Sequence, residues 1–213
     1  MQNNQFNEIQ KTLVSALGVR YHVTSLLDLA HEITLVSMNA KISSAQIGDA
    51  GKVFGVMTNE ITDISAALRA TVQNIRTLTQ EWTKIIAIAA QQMRYLGSLD
   101  EAIALGKAKN HSLEMLEKSR VRAENALKEY DKDYPRLVRE LVRIIDGMEK
   151  SLKIVNYVKI GILIESERLR GMDGSEKSPF QHLANEIQSA ADEIRVVSRN
   201  TMRQLKLLTN NEV

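Results

Sequence analysis

One segment of this chain returns about 120 residues further on, each time as a helix, a Gly-rich turn and a returning helix. The first copy runs from Leu35 through Gly48, Gly51 and Phe54 to Glu60-Ile61. The second runs from Val158 through Glu165, Arg168 and Gly171 to Phe180 and Glu186-Ile187. The returning helices align at one offset, 180 − 54 = 126, which sets Leu183 over Met57, Ile187 over Ile61, Ala190 over Ile64 and Ile194 over Leu68. The ascending helices align at 162 − 40 = 122, giving Ile162 over Ala40, Val155 over Ile33, Leu152 over Ala30 and Ile145 over Val23. The difference between the offsets falls in the turn, where insertions cost least. Self-similarity of this kind restricts a chain to architectures made by pairing or stacking one supersecondary unit.

Heptad spacing sets the element type. From Ile61 the 3,4 rhythm continues through Ile64, Leu68, Thr71, Ile75, Leu78, Trp82, Ile85, Ala89, Gln92 and Leu96. The first helix carries it in Ala16, Val19, Val23, Leu26, Ala30, Ile33, Ser37 and Ala40. A third stripe runs through Leu137, Leu141, Ile144, Met148, Ser151, Val155, Val158 and Ile162. The fourth runs through Phe180, Leu183, Ile187, Ala190, Ile194, Val197 and Thr201. Repeats this long predict straight, supercoiled helices, and arms of about 40 residues would span roughly 60 Å. A lone hairpin buries only one stripe and needs a partner. The predicted fold is all-α: a long antiparallel four-helix bundle or coiled coil made of two helical hairpins, with a helical linker.

Glycines and prolines mark the breaks. Gly48 and Gly51 bracket the first turn, at about 47–53. Gly171, Gly174 and Pro179 mark the second, at about 170–179, with Ser178 as N-cap and Pro179 at the first helical position. Gly97 is expected to interrupt the second helix, and Ser98-Leu99-Asp100-Glu101 to restart one as a capping box. Gly106 to Asn110 predicts another turn, and Asp133 a cap before Pro135. The layout is a first hairpin over 1–96, a helical linker over 97–134 and a second hairpin over 135–213, together one bundle domain. A linker folded back at Gly106–Asn110 puts both hairpin turns at one end. A linker spanning the bundle once would put them at opposite ends, and hairpins could instead pair between two chains.

Composition excludes several classes. Only 4% of the 213 residues are aromatic and 2 are proline, a profile of helical bundles. No run reaches the apolar length of a membrane span, and the first residues lack the regions of a signal peptide. There are no cysteines, hence no disulfide or thiolate metal site, in keeping with a cytoplasmic chain. A net charge of +2 gives no ground for nucleic-acid binding. His22, His31, His111 and His182 are scattered without helical metal-site spacing, so neither metal nor cofactor is expected. No nucleophile motif or phosphate loop points to an enzyme.

On this register the first copy resembles the signalling tip of the cytoplasmic domain of methyl-accepting chemotaxis proteins. The match is without gaps through Met38, Asn39, Ala40, Ala45, Gly48, the acidic Asp49, Gly51, Phe54, Val56, Glu60 and Ile61. The second copy is more diverged but keeps Glu165, Arg168, Phe180, Ala184 and Glu186. In that family two identical hairpins from two subunits make the bundle. The resemblance therefore implies a fused pseudo-dimer, monomeric or alternatively a homodimer, acting in chemotaxis signal transduction. Its implied partners are a CheW-type coupling protein and a CheA-type histidine kinase, with other chemoreceptors as further candidates.

The implied partner-binding residues are Val36, Asn39, Ile42, Phe54, Val56 and Met57 in the first hairpin, and Val158, Ile162, Glu165 and Arg168 in the second. Phe54 and Phe180 are also expected to plug the core beneath the turns, and Trp82 to be buried. Two departures bear on function. Ser43 and Gln46 stand where the family has the Glu and Arg that help bundles form trimers, and Gly161 replaces the tip Asn of the second copy. Only one face keeps the charged pair, so the expectation is an asymmetric adaptor, cap or modulator. The alternatives are a scaffold acting by self-association and a sensor holding a small ligand in a gap of the bundle.

Overall fold

The computed structural model describes the backbone over residues 2–46, 52–108, 113–173 and 179–209, and side chains over 6–46, 52–107, 113–168 and 180–208. Every described residue except Leu113 is helical, so this part of the chain holds no strand. The helices are α1 (Gln2–Gln46), α2 (Lys52–Ala108), α3 (Glu114–Asp173) and α4 (Pro179–Thr209). Gly48, Gly51, Gly174, Ser178 and Asn110, expected in turns, lie outside the described residues. Pro179 opens α4, where its fixed φ and missing N–H cost nothing.

Side-chain pairs show that successive helices run antiparallel. Between α1 and α2, Thr34 meets Ser65 (2.6 Å) and Ser37 meets Thr62 (2.7 Å), so one number falls as the other rises. Between α3 and α4, Glu167 accepts from Gln181 (3.2 Å) and Glu149 faces Arg199 (3.8 Å). Between α2 and α3, Asp100 pairs with Arg120 (3.0 Å) and Glu81 with Arg136 (3.8 Å). The chain is an all-α antiparallel four-helix bundle.

Two compact units divide it. The first comprises Met1–Arg20, Thr77–Val142 and Gln204–Val213, and the second Tyr21–Arg76 and Arg143–Arg203. Each draws on all four helices, so the division cuts across the hairpins rather than between them.

In the second unit the internal repeat is visible as matching burial. On the ascending helices Val23, Leu26, Ala30 and Ile33 are buried, and so are Ile145, Met148, Leu152 and Val155 at the same offset. On the returning helices Ile61, Ile64, Leu68 and Val72 answer to Ile187, Ala190, Ile194 and Ser198, all buried. Even Ser44 and Ser166, 122 residues apart (166 − 44), are both buried.

In the first unit, Trp82 and Ile86 of α2 are buried, as are Val19 of α1, Leu137 and Leu141 of α3 and Leu205 of α4. Gln204 packs near Gly18, where an added Cβ would meet its amide at 3.4 Å.

Three local expectations differ from the structure. First, α2 continues through Gly97, and Ser98 does not cap a new helix. Its hydroxyl bonds back to the Arg94 carbonyl (3.4 Å), an arrangement available only inside a helix. Second, α3 continues through Pro135, and Asp133 faces Arg136 (3.6 Å) rather than a free helix end. Apart from Leu113, the described residues of the segment expected as a linker are helical, but they form the ends of α2 and α3, which pair through Asp100 and Arg120.

Third, the α1 stripe is buried throughout, whereas one line of α2 and α3 is displaced by a residue. Val72, Thr79, Ile86 and Met93 are buried where Thr71, Leu78, Ile85 and Gln92 are half-buried; Ile145 and Leu152 likewise replace Ile144 and Ser151. A four-helix core covers a wider stripe than a two-stranded seam, and these helices carry apolar residues on both flanks of it.

Candidate functional site

The second unit carries the hairpin tips. Phe54, at the start of α2, lies face to face with Phe180, at the start of α4, with ring centroids 3.6 Å apart and planes 9° from parallel. Both rings are fully enclosed, as expected of plugs beneath the turns. Met57 reaches Gly161 of α3, where an added Cβ would stand 3.0 Å from its methyl. These contacts join the two hairpins near their turns, so both returning helices start at the same end of this unit. Gly55 faces Ser44, 3.4 Å from where its Cβ would be, which lets α1 and α2 approach closely below the first turn.

Burial sorts the expected partner-binding residues. Phe54 and Ile162 are core, and Val36 and Glu165 are nearly so at 7% exposure each. Met57 and Val158 are half-buried. Asn39, Ile42, Val56 and Arg168 are exposed. Glu165 and Arg168 are not displayed as two separate charges. Arg168 Nε donates to both carboxylate oxygens of Glu165 (2.9 and 3.0 Å), and its Nη2 donates as well. This hydrogen bonding and the Glu165 charge raise the Arg168 pKa above its ordinary value. The pair is one turn of α3 bridging its own surface.

The exposed apolar residues form a pattern that heptad counting passed over. On α1, Leu35, Met38 and Ile42 are exposed; on α3, Tyr157, Ile160 and Ile164 are exposed. These are the same positions, since 157 − 35, 160 − 38 and 164 − 42 all equal 122. Each triplet follows i, i+3, i+7 spacing and so forms one stripe along its helix. Val53 and Val56 are exposed apolar residues at the start of α2. The counterpart of Val56 on α4, 126 residues on, is polar: His182, paired with Glu186 at 3.2 Å. The repeat offset, applied to the flanks rather than the core, would have revealed the stripes.

Hairpin 1 is also fastened differently from hairpin 2. Thr34 and Ser65 bond to each other, Ser37 to Thr62, and Arg69 Nη2 donates to Thr34 (2.6 Å). At the repeat-related positions of α4 stand Ala191, Gln188 and Arg195, and there Gln188 and Arg195 both turn to Asp192. Tips alike in their core thus differ in their polar surface.

Among the described residues no group of His, Asp and Glu could hold a metal ion, and no helix is long and apolar enough to cross a membrane. No protein-family model, curated protein or solved structure matches the chain.

Proposed function

We propose that this chain is a cytoplasmic, non-enzymatic chemoreceptor-like adaptor that docks on chemosensory array components through the tip end of its bundle. The partners are a CheW-type coupling protein and a CheA-type histidine kinase. The observation that carries the reading is the duplicated exposed stripe beside the stacked Phe54 and Phe180. One polypeptide supplies two related helix edges at one end, each ready to lay apolar side chains into a partner groove. In this reading Ile42 and Val56 touch the partner directly, Asn39 supplies a polar rim, and Phe54, Val36 and Ile162 hold the edges in place. Met57 and Val158 support the two edges from their half-buried positions. Glu165 and Arg168 act as a single closed ion pair, and the two edges are unequal. That inequality fits an adaptor or cap better than a symmetric receptor.

Copurification of the full chain with the coupling protein and kinase of its own organism tests this. Retention of either partner, weakened about tenfold or more by Ile42→Asp or Val56→Asp, is the expected result. Failure of the folded chain to retain either one would remove the reading. Self-association in its place would favour a scaffold.

A further inference from the structure

Within the second unit, α1 and α2 leave a groove of about 460 Å³ between them. Leu27, Ala66 and Ala70 give it apolar walls, and Arg69 stands among them with the hydroxyls of Thr34 and Ser65. Along α2 its lining runs from Thr62 to Gln73, about 16 Å at the helical rise. Among the described residues no large apolar side chain is exposed between Tyr21 and Leu35 on α1, or between Val56 and Ile88 on α2. A docking protein needs such side chains around the groove as anchoring contacts, whereas a slender ligand does not.

Arg69 is held in place. Thr34 gives its hydroxyl proton to the Ala30 carbonyl (2.9 Å), so its oxygen accepts from both Ser65 (2.6 Å) and Arg69 Nη2 (2.6 Å). Among the described residues the guanidinium makes no other hydrogen bond and pairs with no carboxylate.

The other copy of the repeat shows what this position takes as a partner. Arg195 is the counterpart of Arg69 (195 − 69 = 126), and it donates to Asp192. The counterpart of Asp192 is Ala66 (192 − 66 = 126), a wall of the groove. Leu27 likewise stands where α3 has Glu149 (149 − 27 = 122), which faces Arg199. Hairpin 1 thus keeps the arginine, lacks both acids and has apolar side chains in their place.

We propose that this groove binds a free alkyl carboxylate, a medium-chain fatty acid. Its carboxylate takes the place that Asp192 holds in hairpin 2, on the open N–H groups of Arg69, and its chain runs over Ala70 toward Leu27. A guanidinium fixed in one orientation suits the two oxygens of a carboxylate, and the chain adds apolar burial. The site belongs to hairpin 1 alone and does not depend on the adaptor reading.

Octanoate is a suitable probe, and 1-octanol its neutral counterpart. Calorimetric titration of the full chain should give saturable octanoate binding. Arg69→Gln should weaken it about tenfold or more, as should replacing the acid by the alcohol. Ala66→Asp, which copies hairpin 2 into hairpin 1, should abolish it, because the new carboxylate occupies Arg69. Circular dichroism should show both variants as helical as the parent. Absence of saturable octanoate binding would overturn the proposal. So would equal affinity for octanol, or undiminished octanoate affinity in either folded variant.

Discussion

Phe54 and Phe180 show most directly what single residues do here. Each ring removes its area from water against the other, worth about 1.5–3 kcal/mol apiece. Phe54→Ala should therefore destabilise the chain by about 3–5 kcal/mol in urea unfolding, while Phe54→Leu costs clearly less. Asp131 behaves oppositely. Its folded pKa lies above the unfolded value, so the folded state binds more protons in that window. The favourable contribution is complete below the ordinary carboxyl pKa and is lost as pH rises through the raised one. Asp131→Asn should raise the melting temperature slightly at neutral pH and flatten the stability profile just above pH 3.8, measured by thermal melts across the acid range.

At the scale of elements, the line of α1 was legible in the sequence although apolar residues such as Leu17 and Leu35 flank it. In α1 the predicted line from Ala16 to Ala40 is the buried line. In α2, Ile85 and Ile86 are adjacent and equally apolar, so spacing alone could not choose which faces inward; packing chose Ile86. Local breakers misled for a related reason. Gly97 and Pro135 weaken a helix, but long helices with a continuous buried stripe recover more from packing than one weak position loses. Core positions of the tips were readable, whereas Leu35 and Tyr157 were not, because exposed apolar residues leave no mark in a core register.

The hydroxyl pairs of hairpin 1 give an element-scale expectation. Ser65→Ala alone should destabilise by about 0.5–1.5 kcal/mol in urea unfolding, the worth of one hydrogen bond, because the Thr34 hydroxyl keeps the Ala30 carbonyl and Arg69 as partners. Adding Thr34→Val should recover little of that loss, since it also removes the acceptor of Arg69 Nη2.

At the scale of the molecule, two similar hairpins are accommodated in one chain. The physical requirement is that each hairpin bury its stripe against the other, and Met57 facing Gly161 and Phe54 stacked on Phe180 meet it within the second unit. Gly161 matters because a larger side chain would displace Met57; Gly161→Leu should loosen the tip, whereas Gly161→Ala asks only a small shift of a flexible methyl. The same economy leaves two related but unequal edges exposed, the feature on which the adaptor reading rests.

The chain has no cysteine of its own, so the pairing can be tested without background. Met57→Cys and Gly161→Cys should be introduced together and treated with a short bis-maleimide at high dilution. Cross-linking within single chains, at monomer mass, is the result the account predicts. Cross-linked dimers alone, or no cross-link in a folded chain, would contradict the claim that its two hairpins fold on each other.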